Sequence, residues 1–249
     1  MMKLSEFFHE HPKVAVAFSG GVDSSYLLYA AKENGAEVQA YYANSAFQPQ
    51  FELKDARRLA RELDVPLRVL DIDVLSLDAV AANPPDRCYH CKQEIFRTIL
   101  KAAADDGFSV LLDGTNASDN AGDRPGMRAL RELSVLSPLR ECGLTKAKIR
   151  ELSKEAGLFT WDKPAYACLA TRIPAGETIT EEKLKATEAA ENYLFSLGLT
   201  DFRVRRMGSV AKIQVRAEQI EKAVAHRESI VRELKQYYTD VLLDMETRQ

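Results

Sequence analysis

The segment SGGVDSS, residues 19–25, combines residue types that bind phosphate groups. Gly20 and Gly21 permit a tight turn and let backbone N–H groups approach an anion closely. The serines add hydroxyl donors, and the Asp23 carboxylate can hold a Mg²⁺ ion that bridges phosphate oxygens. We therefore predict a nucleotide-phosphate site at this segment. Its residues are Ser19, Gly20, Gly21, Val22, Asp23, Ser24 and Ser25.

This loop differs from two other nucleotide-binding loops. A Walker A loop would end in Gly-Lys-Ser or Gly-Lys-Thr, and that ending is absent. A dinucleotide-binding fingerprint would contain a third glycine, which is also absent. An ordinary glycine turn capped by serine is the alternative interpretation, but the strand predicted before the loop and the helix predicted after it favour an anion site.

Two cysteines, Cys88 and Cys91, have the CxxC spacing that chelates a metal ion or one face of an iron–sulfur cluster. Other interpretations of the pair are half of a zinc site, to which His90 could contribute, a redox-active dithiol, or two structural thiols. Cys142, in the segment LRECGLT, matches none of these roles, and we predict that it is structural.

A further cysteine, Cys168, lies in the segment WDKPAYACLATRIP, residues 161–174. A thiolate is both a nucleophile and a metal ligand, and Arg172 would lower the pKa of the Cys168 thiol if the two lie close in space. The simpler alternative is a small buried side chain, because free cysteine is among the most buried residue types. The segment by itself leaves both interpretations open.

Paired arginines form another candidate site nearer the C-terminus. In the segment DFRVRRMG, the period of a β-strand places Arg203 and Arg205 on one face and Arg206 on the other. Guanidinium groups bind phosphate through bidentate hydrogen bonds, so this pair suits a phosphate-bearing substrate. A solvated strand face is the alternative.

The composition is typical of a globular protein that can position such groups. The chain has 249 residues, of which 46% are hydrophobic, so it can form a full core without disulfides. Its net charge of -3 provides no overall basic field for nucleic acid or an anionic membrane. The N-terminal segment lacks a signal-peptide pattern and no segment reaches membrane-spanning length, so we expect a cytoplasmic protein with neither nucleic acid nor membrane as partner.

Hydrophobic periodicity predicts alternating strands and helices over most of the chain. KVAVAF at 13–18 is typical of a buried strand, and the helix after the glycine loop should end at Asn34 and Gly35. More strands are predicted in EVQAYYAN, LRVLDID, SVLLDGTN and LSVLSPL. Helices should lie between and after them, one of them at about 92–105 and one capped by Thr145. This order predicts an α/β fold with a doubly wound, mostly parallel sheet.

The pattern changes after Gly176. A helix is predicted from about Thr180, followed by two strands, a helix near 218–236 and a last strand in TDVLLDM. This order predicts a smaller C-terminal α+β domain. We place the boundary in RIPAGETIT and expect a nucleotide-binding domain at 1–176 and a substrate-binding or oligomerisation domain at 177–249.

The SGGVDSS loop, in its strand–loop–helix context, resembles the pyrophosphate loop (PP-loop) of the ATP-pyrophosphatase superfamily. The resemblance implies an adenine nucleotide α-hydrolase-like fold and cleavage of ATP between its α and β phosphates. The segment LLDGTNASD resembles the superfamily's second nucleotide segment, which adds Gly114, Thr115 and Asn116 to the site. Asn44 and Ser45 end the second predicted strand, where ligands collect in open α/β sheets, so we expect them on the adenine side.

The chain also resembles the LarE family in three stretches: NPPDRCYHCK at 83–92, DRPGMRALRELSVLSPLRECGLTKAKIR at 123–150 and WDKPAYACLATRIP at 161–174. LarE enzymes are ATP-dependent sulfur transferases. They convert a pyridinium dicarboxylate mononucleotide into its thiocarboxylate form, on the way to the nickel-pincer nucleotide of lactate racemase. The resemblance extends over almost the whole chain and implies the same activity, with ATP and Mg²⁺ as cofactors and AMP and pyrophosphate as products.

The resemblance assigns the sulfur-carrying role to Cys168. In family members that sacrifice this cysteine, its sulfur attacks the adenylated carboxylate, and cleavage of the C–S bond then leaves dehydroalanine, so each protein acts once. The resemblance to members that also contain the CxxC pair implies instead a [4Fe–4S] cluster on Cys88, Cys91 and Cys168, with a fourth iron that carries hydrosulfide. We expect the cluster route, and sacrifice of Cys168 is the alternative.

The family stretch that corresponds to DFRVRRMG binds the phosphate of the mononucleotide. This supports Arg203 and Arg205 as phosphate ligands and adds Thr171 and Arg172 as supporting donors. The expected partner is thus a small pyridinium mononucleotide, and because family members assemble, we also expect a homo-oligomer. Two alternatives share the loop and the cysteines: a cluster-dependent tRNA thiolation enzyme, which should show a basic face, and a non-catalytic nucleotide or metal sensor.

Overall fold

The chain forms two compact units in the computed structural model, which describes residues 2–119 and 125–248. Each unit has a hydrophobic core of its own. The first unit comprises Met1–Val74 and Asp86–Lys163, and the second comprises Leu75–Pro85 and Pro164–Gln249.

The units differ from the two domains expected from the sequence. The second unit begins at Pro164, ahead of the expected boundary at Gly176, and it also includes the earlier segment Leu75–Pro85. Asn83 in that segment is buried, and its side-chain amide donates to three backbone carbonyls, with a distance of 2.7 Å to the Pro174 oxygen. The Asn83 carbonyl accepts a hydrogen bond of 2.8 Å from the Gly176 N–H. These bonds join the segment to the loop that precedes the C-terminal helices.

The helices and strands follow the alternation expected from the sequence. The first two residues of the stretch 123–150 lie outside the described residues. The helices are α1 (Leu4–Glu10), α2 (Val22–Glu33), α3 (Gln50–Glu62), α4 (Asp78–Ala81), α5 (Arg87–Asp105), α6 (Pro125–Glu132), α7 (Pro138–Glu141), α8 (Lys146–Glu155), α9 (Glu181–Ser196), α10 (Ile220–Ala225) and α11 (Arg227–Leu234). The strands are β1 (Lys13–Ala17), β2 (Glu37–Asn44), β3 (Leu67–Asp71), β4 (Leu111–Leu112), β5 (Arg203–Met207), β6 (Val210–Gln214) and β7 (Asp240–Leu243).

The first unit is built on a parallel sheet with the strand order β3-β2-β1-β4. Val14 and Val16 of β1 lie in one hydrophobic cluster and Ala15 lies in another, so β1 is buried on both faces, as in other parallel sheets. The strand order runs outward from β1 in one direction to β3 and then resumes on the other side of β1 with β4. The point between β1 and β4 at which the strand order reverses is a topological switch point. Open α/β sheets bind ligands at the carboxyl ends of the strands on either side of such a point.

The fifth strand predicted in LSVLSPL is reduced to a single bridge between Leu112 and Leu136. The Leu136 N–H donates to the Leu111 carbonyl at 3.0 Å. Ser134 on one side has a positive φ of 54°, which breaks extended backbone, and Pro138 on the other side has no N–H and begins α7. The edge of the sheet therefore cannot extend in either direction from this bridge.

The second unit contains a three-stranded sheet in the order β5-β6-β7, with β5 antiparallel and β7 parallel to β6. Helix α9 begins where the sequence predicts a helix, and Thr180 is its N-cap, with a hydroxyl that accepts a hydrogen bond from the Lys183 N–H. The helix predicted near 218–236 is interrupted at His226, which ends α10 and precedes α11. The predicted α/β fold with a smaller α+β part is confirmed.

Across residues 2–119 and 125–248, none of the helices combines the length and the apolar character that crossing a membrane would require.

The buried amide of Asn83 provides a test of how the second unit is held together. We expect Asn83→Ala to lower the free energy of unfolding by about 2–3 kcal/mol, because it removes the buried donor to three backbone carbonyls. Asn83 has a positive φ of 55°. Asp64→Ala is the matched control, since Asp64 has a similar φ of 50° but is exposed. Urea unfolding of both variants measures the difference, and equal losses would show that backbone conformation alone accounts for the effect.

Candidate active site

The predicted phosphate loop connects β1 to α2 and is packed against α3. Gly20 has a positive φ of 71°, and a Cβ atom there would lie 3.2 Å from the Glu52 carbonyl oxygen and 3.4 Å from the Ala56 Cβ. A side chain at this position would meet both the strained backbone conformation and the neighbouring helix. The loop therefore requires glycine at residue 20.

Hydroxyl groups and free backbone N–H groups line the start of α2. Gly21 is the N-cap of this helix and provides no side-chain cap for its first N–H groups. The Ser19 and Ser24 hydroxyl oxygens lie 3.0 Å apart, and the Ser24 hydroxyl lies 3.3 Å from the Gly21 carbonyl oxygen. The Ser25 hydroxyl is buried and has no hydrogen-bond partner among the described residues. Uncapped N–H groups at the positive end of a helix are suited to bind an anion.

Gly114, at the carboxyl end of β4, brings the second nucleotide segment against the phosphate loop. A Cβ atom on Gly114 would lie 2.9 Å from the backbone nitrogen of Ser24 and 3.1 Å from its Cα. Such distances are too short for real Cβ contacts, so the backbone could not keep this position with any other residue. The two predicted nucleotide segments therefore meet at the switch point of the sheet.

Asp113 organises the segment around Gly114. It is buried and accepts hydrogen bonds from the Thr115 hydroxyl and from the Ser137 hydroxyl, the latter at 2.6 Å. The Asn116 side-chain oxygen accepts a hydrogen bond of 2.8 Å from the Ser118 N–H, which closes the following turn. Thr115 and Asn116 thus hold the shape of the segment in the present structure.

The polar residues at the end of β2 lie at the same edge of the sheet. The Asn44 amide donates to the Asp71 carboxylate at 2.6 Å, across the ends of β2 and β3. Ser45 donates to the Gln48 side chain at 2.6 Å and accepts a hydrogen bond from the Phe47 N–H. Asn44 and Ser45 therefore lie at the carboxyl end of β2, the edge of the sheet where ligands collect in open α/β folds.

Two lysines that the sequence did not point to also contact the phosphate loop. Lys146 Nζ lies 2.6 Å from Asp23 Oδ2. Lys163 Nζ lies 3.1 Å from the Gly20 carbonyl oxygen and 2.6 Å from Asp55 Oδ2. In the sequence, Lys146 follows the predicted cap Thr145 and Lys163 lies in the segment WDKP. Neither position indicates a contact with a residue so distant in sequence.

The CxxC pair lies within α5, which begins at Arg87 and not near residue 92. Cys88 and Cys91 are three residues apart, so both thiols project from one face of the helix, where Cys88 is exposed and Cys91 is half-buried. The buried Arg87 side chain donates from Nη2 to Cys88 Sγ at 3.7 Å. His90 Nε2 lies 3.4 Å from Asp86 Oδ2.

No group of three or more His, Cys, Asp or Glu side chains within residues 2–119 and 125–248 is arranged to hold a metal ion. Cys88 and Cys91 belong to the first unit and Cys168 to the second. Cys142 follows α7, and burial together with Glu141 and Glu6 raises the pKa of its thiol. This environment disfavours a thiolate and supports the structural role predicted for Cys142.

Cys168 begins a single helical turn in the second unit, at Leu169–Arg172. Its carbonyl oxygen accepts hydrogen bonds from the Thr171 N–H at 3.0 Å and from the Thr171 hydroxyl at 2.8 Å. Arg172 Nη1 lies 3.3 Å from the same oxygen and donates to the Ala167 carbonyl at 2.8 Å. The backbone on both sides of the thiol is therefore fixed.

Arg172 is fully buried and forms an ion pair with Glu191. The distance from Arg172 Nε to Glu191 Oε1 is 2.8 Å, and Nη2 lies 3.1 Å from the other carboxylate oxygen. Glu191 also accepts hydrogen bonds from the Tyr166 hydroxyl and from the Val204 N–H. Burial, followed by the charge of Glu191, raises the pKa of Tyr166, which therefore stays a neutral donor.

Arg203 and Arg205 lie on one face of β5, as the strand period predicts. Arg203 donates to the Ala165 carbonyl at 2.7 Å, and Arg205 donates to Gln214 at 2.5 Å and to the Thr171 carbonyl at 3.1 Å. Burial and the charges of other arginines lower the pKa of both, to about 10 for Arg203. The hydrogen-bond acceptors of both side chains among the described residues are neutral carbonyl and amide oxygens, so the two arginines are suited to bind an anion.

Comparison with known proteins agrees with this geometry. A family model described as "Queuosine biosynthesis protein QueC" matches residues 13–83, which include the phosphate loop. The uncharacterized protein slr1717 from Synechocystis sp. is 37% identical over 222 residues, which cover 89% of this chain and 83% of the relative. A tRNA-specific 2-thiouridylase MnmA 2 from Clostridium botulinum is 28% identical over 182 residues, 60% of this chain and 52% of the relative.

One relative named for a specific reaction matches this chain over most of the length of both proteins. The pyridinium-3,5-bisthiocarboxylic acid mononucleotide synthase from Lactiplantibacillus plantarum is 34% identical over 225 residues, which cover 90% of this chain and 82% of the relative. A match of 225 residues in a chain of 249 extends into both units. The chain therefore belongs to the LarE family of ATP-using enzymes, within the PP-loop superfamily.

Proposed function

We propose that this enzyme uses ATP to adenylate a carboxylate of a pyridinium dicarboxylate mononucleotide and then replaces an oxygen of that carboxylate by sulfur. One observation carries the choice of substrate. In the second unit, Arg205 donates to the carbonyl of Thr171 and Arg172 donates to the carbonyl of Cys168, so a thiol and a cluster of guanidinium groups are held in one local structure. A substrate with both a phosphate and an acyl group matches this combination.

The phosphate loop and the start of α2 provide the binding site proposed for ATP. Uncapped N–H groups and serine hydroxyls would hold the β and γ phosphates, and the substrate carboxylate would attack the α phosphate to release pyrophosphate. Asp23 fits a Mg²⁺ ligand, because its Oδ1 atom is buried and has no partner among the described residues. Mg²⁺ would supply charge neutralisation for the phosphate oxygens.

The second half of the reaction needs a sulfur nucleophile at the adenylated carboxylate. If Cys168 is the donor, its thiolate attacks the acyl carbon and AMP leaves with the bonding electron pair, which gives a thioester. Loss of a proton from the Cys168 Cα then expels the thiocarboxylate and leaves dehydroalanine. The hydrogen bonds to the Cys168 carbonyl would keep the thiol in place during the first step.

The cluster route is our preferred alternative to sacrifice, and it rests on the cysteine set in the sequence. Cys88 and Cys91 fit two ligands of a cluster, because they project from one face of α5. Cys168 is the proposed third ligand. A [4Fe–4S] cluster held by these three thiolates would supply a place for exogenous sulfide to bind, because three protein ligands would leave one iron without one. Arg87 donates a hydrogen bond to Cys88 Sγ and so orients this thiol.

Iron content and protein mass distinguish the two routes. Anaerobically purified enzyme should contain iron and acid-labile sulfide and should turn over repeatedly when sulfide is supplied, because the sulfur then comes from outside the chain. Cys88→Ser should lose the iron, while the control Cys142→Ser should keep it. An iron-free enzyme that acts once and loses one hydrogen sulfide from Cys168, measured by intact mass spectrometry, would establish the sacrificial route instead.

The arginines of β5 provide a test of substrate binding. Arg205→Ala should raise the KM for the mononucleotide about ten- to a hundredfold and leave the KM for ATP unchanged, because it removes a charge-assisted phosphate contact. Arg206→Ala is the matched control, since Arg206 lies on the opposite face of the strand, over the Tyr238 ring. Steady-state kinetics with each substrate varied will show the difference. An equal effect of both variants would exclude a specific phosphate contact at Arg205.

Product analysis separates the proposed reaction from tRNA thiolation and from a non-catalytic sensor. Release of AMP and pyrophosphate should depend on the pyridinium mononucleotide and should not change when tRNA is added. Release that requires tRNA would identify a thiolation enzyme. Nucleotide binding without release of either product would identify a sensor.

A further inference from the structure

A row of polar side chains crosses the sheet of the second unit, from β5 to the residue that follows β7. Arg205 Nε donates to Gln214 Oε1 at 2.5 Å, and Gln214 Nε2 donates to Asp244 Oδ2 at 2.7 Å. The Asp244 N–H donates to the Ile213 carbonyl at 2.8 Å, which fixes this residue beside β6. One amide therefore connects the guanidinium of Arg205 to a carboxylate at the other side of the sheet.

The two neighbours of the Gln214 amide determine its orientation. A guanidinium group has only donors, so it must face the amide oxygen, and a carboxylate has only acceptors, so it must face the amide nitrogen. Lys212 Nζ lies 2.9 Å from Asp244 Oδ2, and the Glu246 N–H donates to Asp244 Oδ1 at 3.2 Å. Hydrogen bonds from Lys212 and then Gln214 lower the pKa of Asp244, so its carboxylate stays ionised and keeps the amide in this orientation.

The amide orients Arg205 without neutralising it. Gln214 accepts from Nε, and the Thr171 carbonyl accepts from Nη1 at 3.1 Å, so two neutral oxygens fix the plane of the guanidinium group. Arg172 in the same unit shows the contrasting arrangement, because its guanidinium pairs directly with the Glu191 carboxylate. The glutamine thus provides the orientation that a carboxylate would provide, but it leaves the charge of Arg205 to a ligand.

We propose that Gln214 is a positioning residue for recognition of the substrate phosphate. Its amide holds the Arg205 guanidinium in place before the substrate binds, so less side-chain freedom is lost on binding, and as a neutral group it does not compete with the phosphate. Asp244 acts one step further away, by fixing the amide. The inference deepens the proposed function and rests on Arg205 as a ligand of the mononucleotide phosphate.

Isothermal titration calorimetry with the pyridinium dicarboxylate mononucleotide, and with the corresponding nucleoside that lacks the phosphate, tests this role. Gln214→Met removes the acceptor at similar side-chain length, and we expect it to weaken binding of the mononucleotide about three- to tenfold. Gln214→Glu places a negative charge beside Arg205, which repels the phosphate, so the loss should be about ten- to a hundredfold. The affinity for the nucleoside should not change in either variant.

Gln236→Glu is the matched control, because Gln236 lies in the same unit but is exposed and donates to Glu233. It should bind the mononucleotide like the wild-type enzyme. In an Arg205→Ala background, Gln214→Met should cause no further loss, because a positioning residue acts only through the residue that it holds. Equal losses of affinity for mononucleotide and nucleoside, or an additive loss in the double variant, would overturn the inference.

The single variant Arg205→Ala distinguishes this inference from the proposed function. If Arg205→Ala weakens binding of the mononucleotide and neither variant of Gln214 does, the phosphate contact stands and the role of Gln214 is refuted. If the wild-type enzyme binds the mononucleotide no better than the nucleoside, phosphate recognition is refuted instead, and with it the proposed substrate.

Discussion

The first unit depends on one close backbone approach, that of Gly114 to the first turn of α2. A Cβ atom on Gly114 would lie 2.9 Å from the Ser24 nitrogen, so the absence of a side chain sets the distance between β4 and the phosphate loop. That distance in turn decides where the segment after β4 can anchor α8, through Ser118 and the Lys146 N–H. The charge that Lys146 brings to Asp23 is a consequence of this packing, as is the meeting of two polar segments at the switch point of the sheet.

The second unit depends on a different constraint, the buried carboxylate of Glu191. It forms an ion pair with Arg172 and accepts hydrogen bonds from the Tyr166 hydroxyl and the Val204 N–H. Its carboxylate oxygens are therefore already engaged by donors other than Arg203 and Arg205. A buried ion pair is weak evidence for stability, because apolar residues of similar volume would often be equally stable. Its value here is positional, because it fixes the turn that begins at Cys168. The hydrogen-bond acceptors of Arg203 and Arg205 within residues 2–119 and 125–248 are neutral oxygens. Burial, followed by the charges of Arg172 and Arg248, lowers the pKa of both arginines.

The sequence predicted the elements that carry local signals. Three features depend only on nearby residues, and each is observed. They are the strand before the glycine loop, the helix capped by Thr145, and the position of Arg203 and Arg205 on one face of β5. The start of α5 was placed too late, because RCYHC lacks apolar periodicity although it continues the helix. The contacts of Lys146 and Lys163 with the loop could not be predicted, since they join residues 123 and 143 positions apart. The domain boundary also depends on such a distant contact, that of Asn83.

The cysteines differ in the charged residues that surround them. Burial, followed by the charges of Glu141 and Glu6, raises the pKa of the Cys142 thiol, which disfavours its reactive thiolate form. Guanidinium groups accompany two of the others: Arg87 donates to Cys88 Sγ, and Arg172 interacts electrostatically with Cys168. Positive charge favours a thiolate whether that thiolate attacks an acyl carbon or ligates iron, so both sulfur routes require the same electrostatics at Cys168. The two routes differ in the source of the sulfur, which is Cys168 itself in one and exogenous sulfide in the other. Only the second route uses the CxxC pair on α5, where Cys91 is half-buried and Cys88 is exposed.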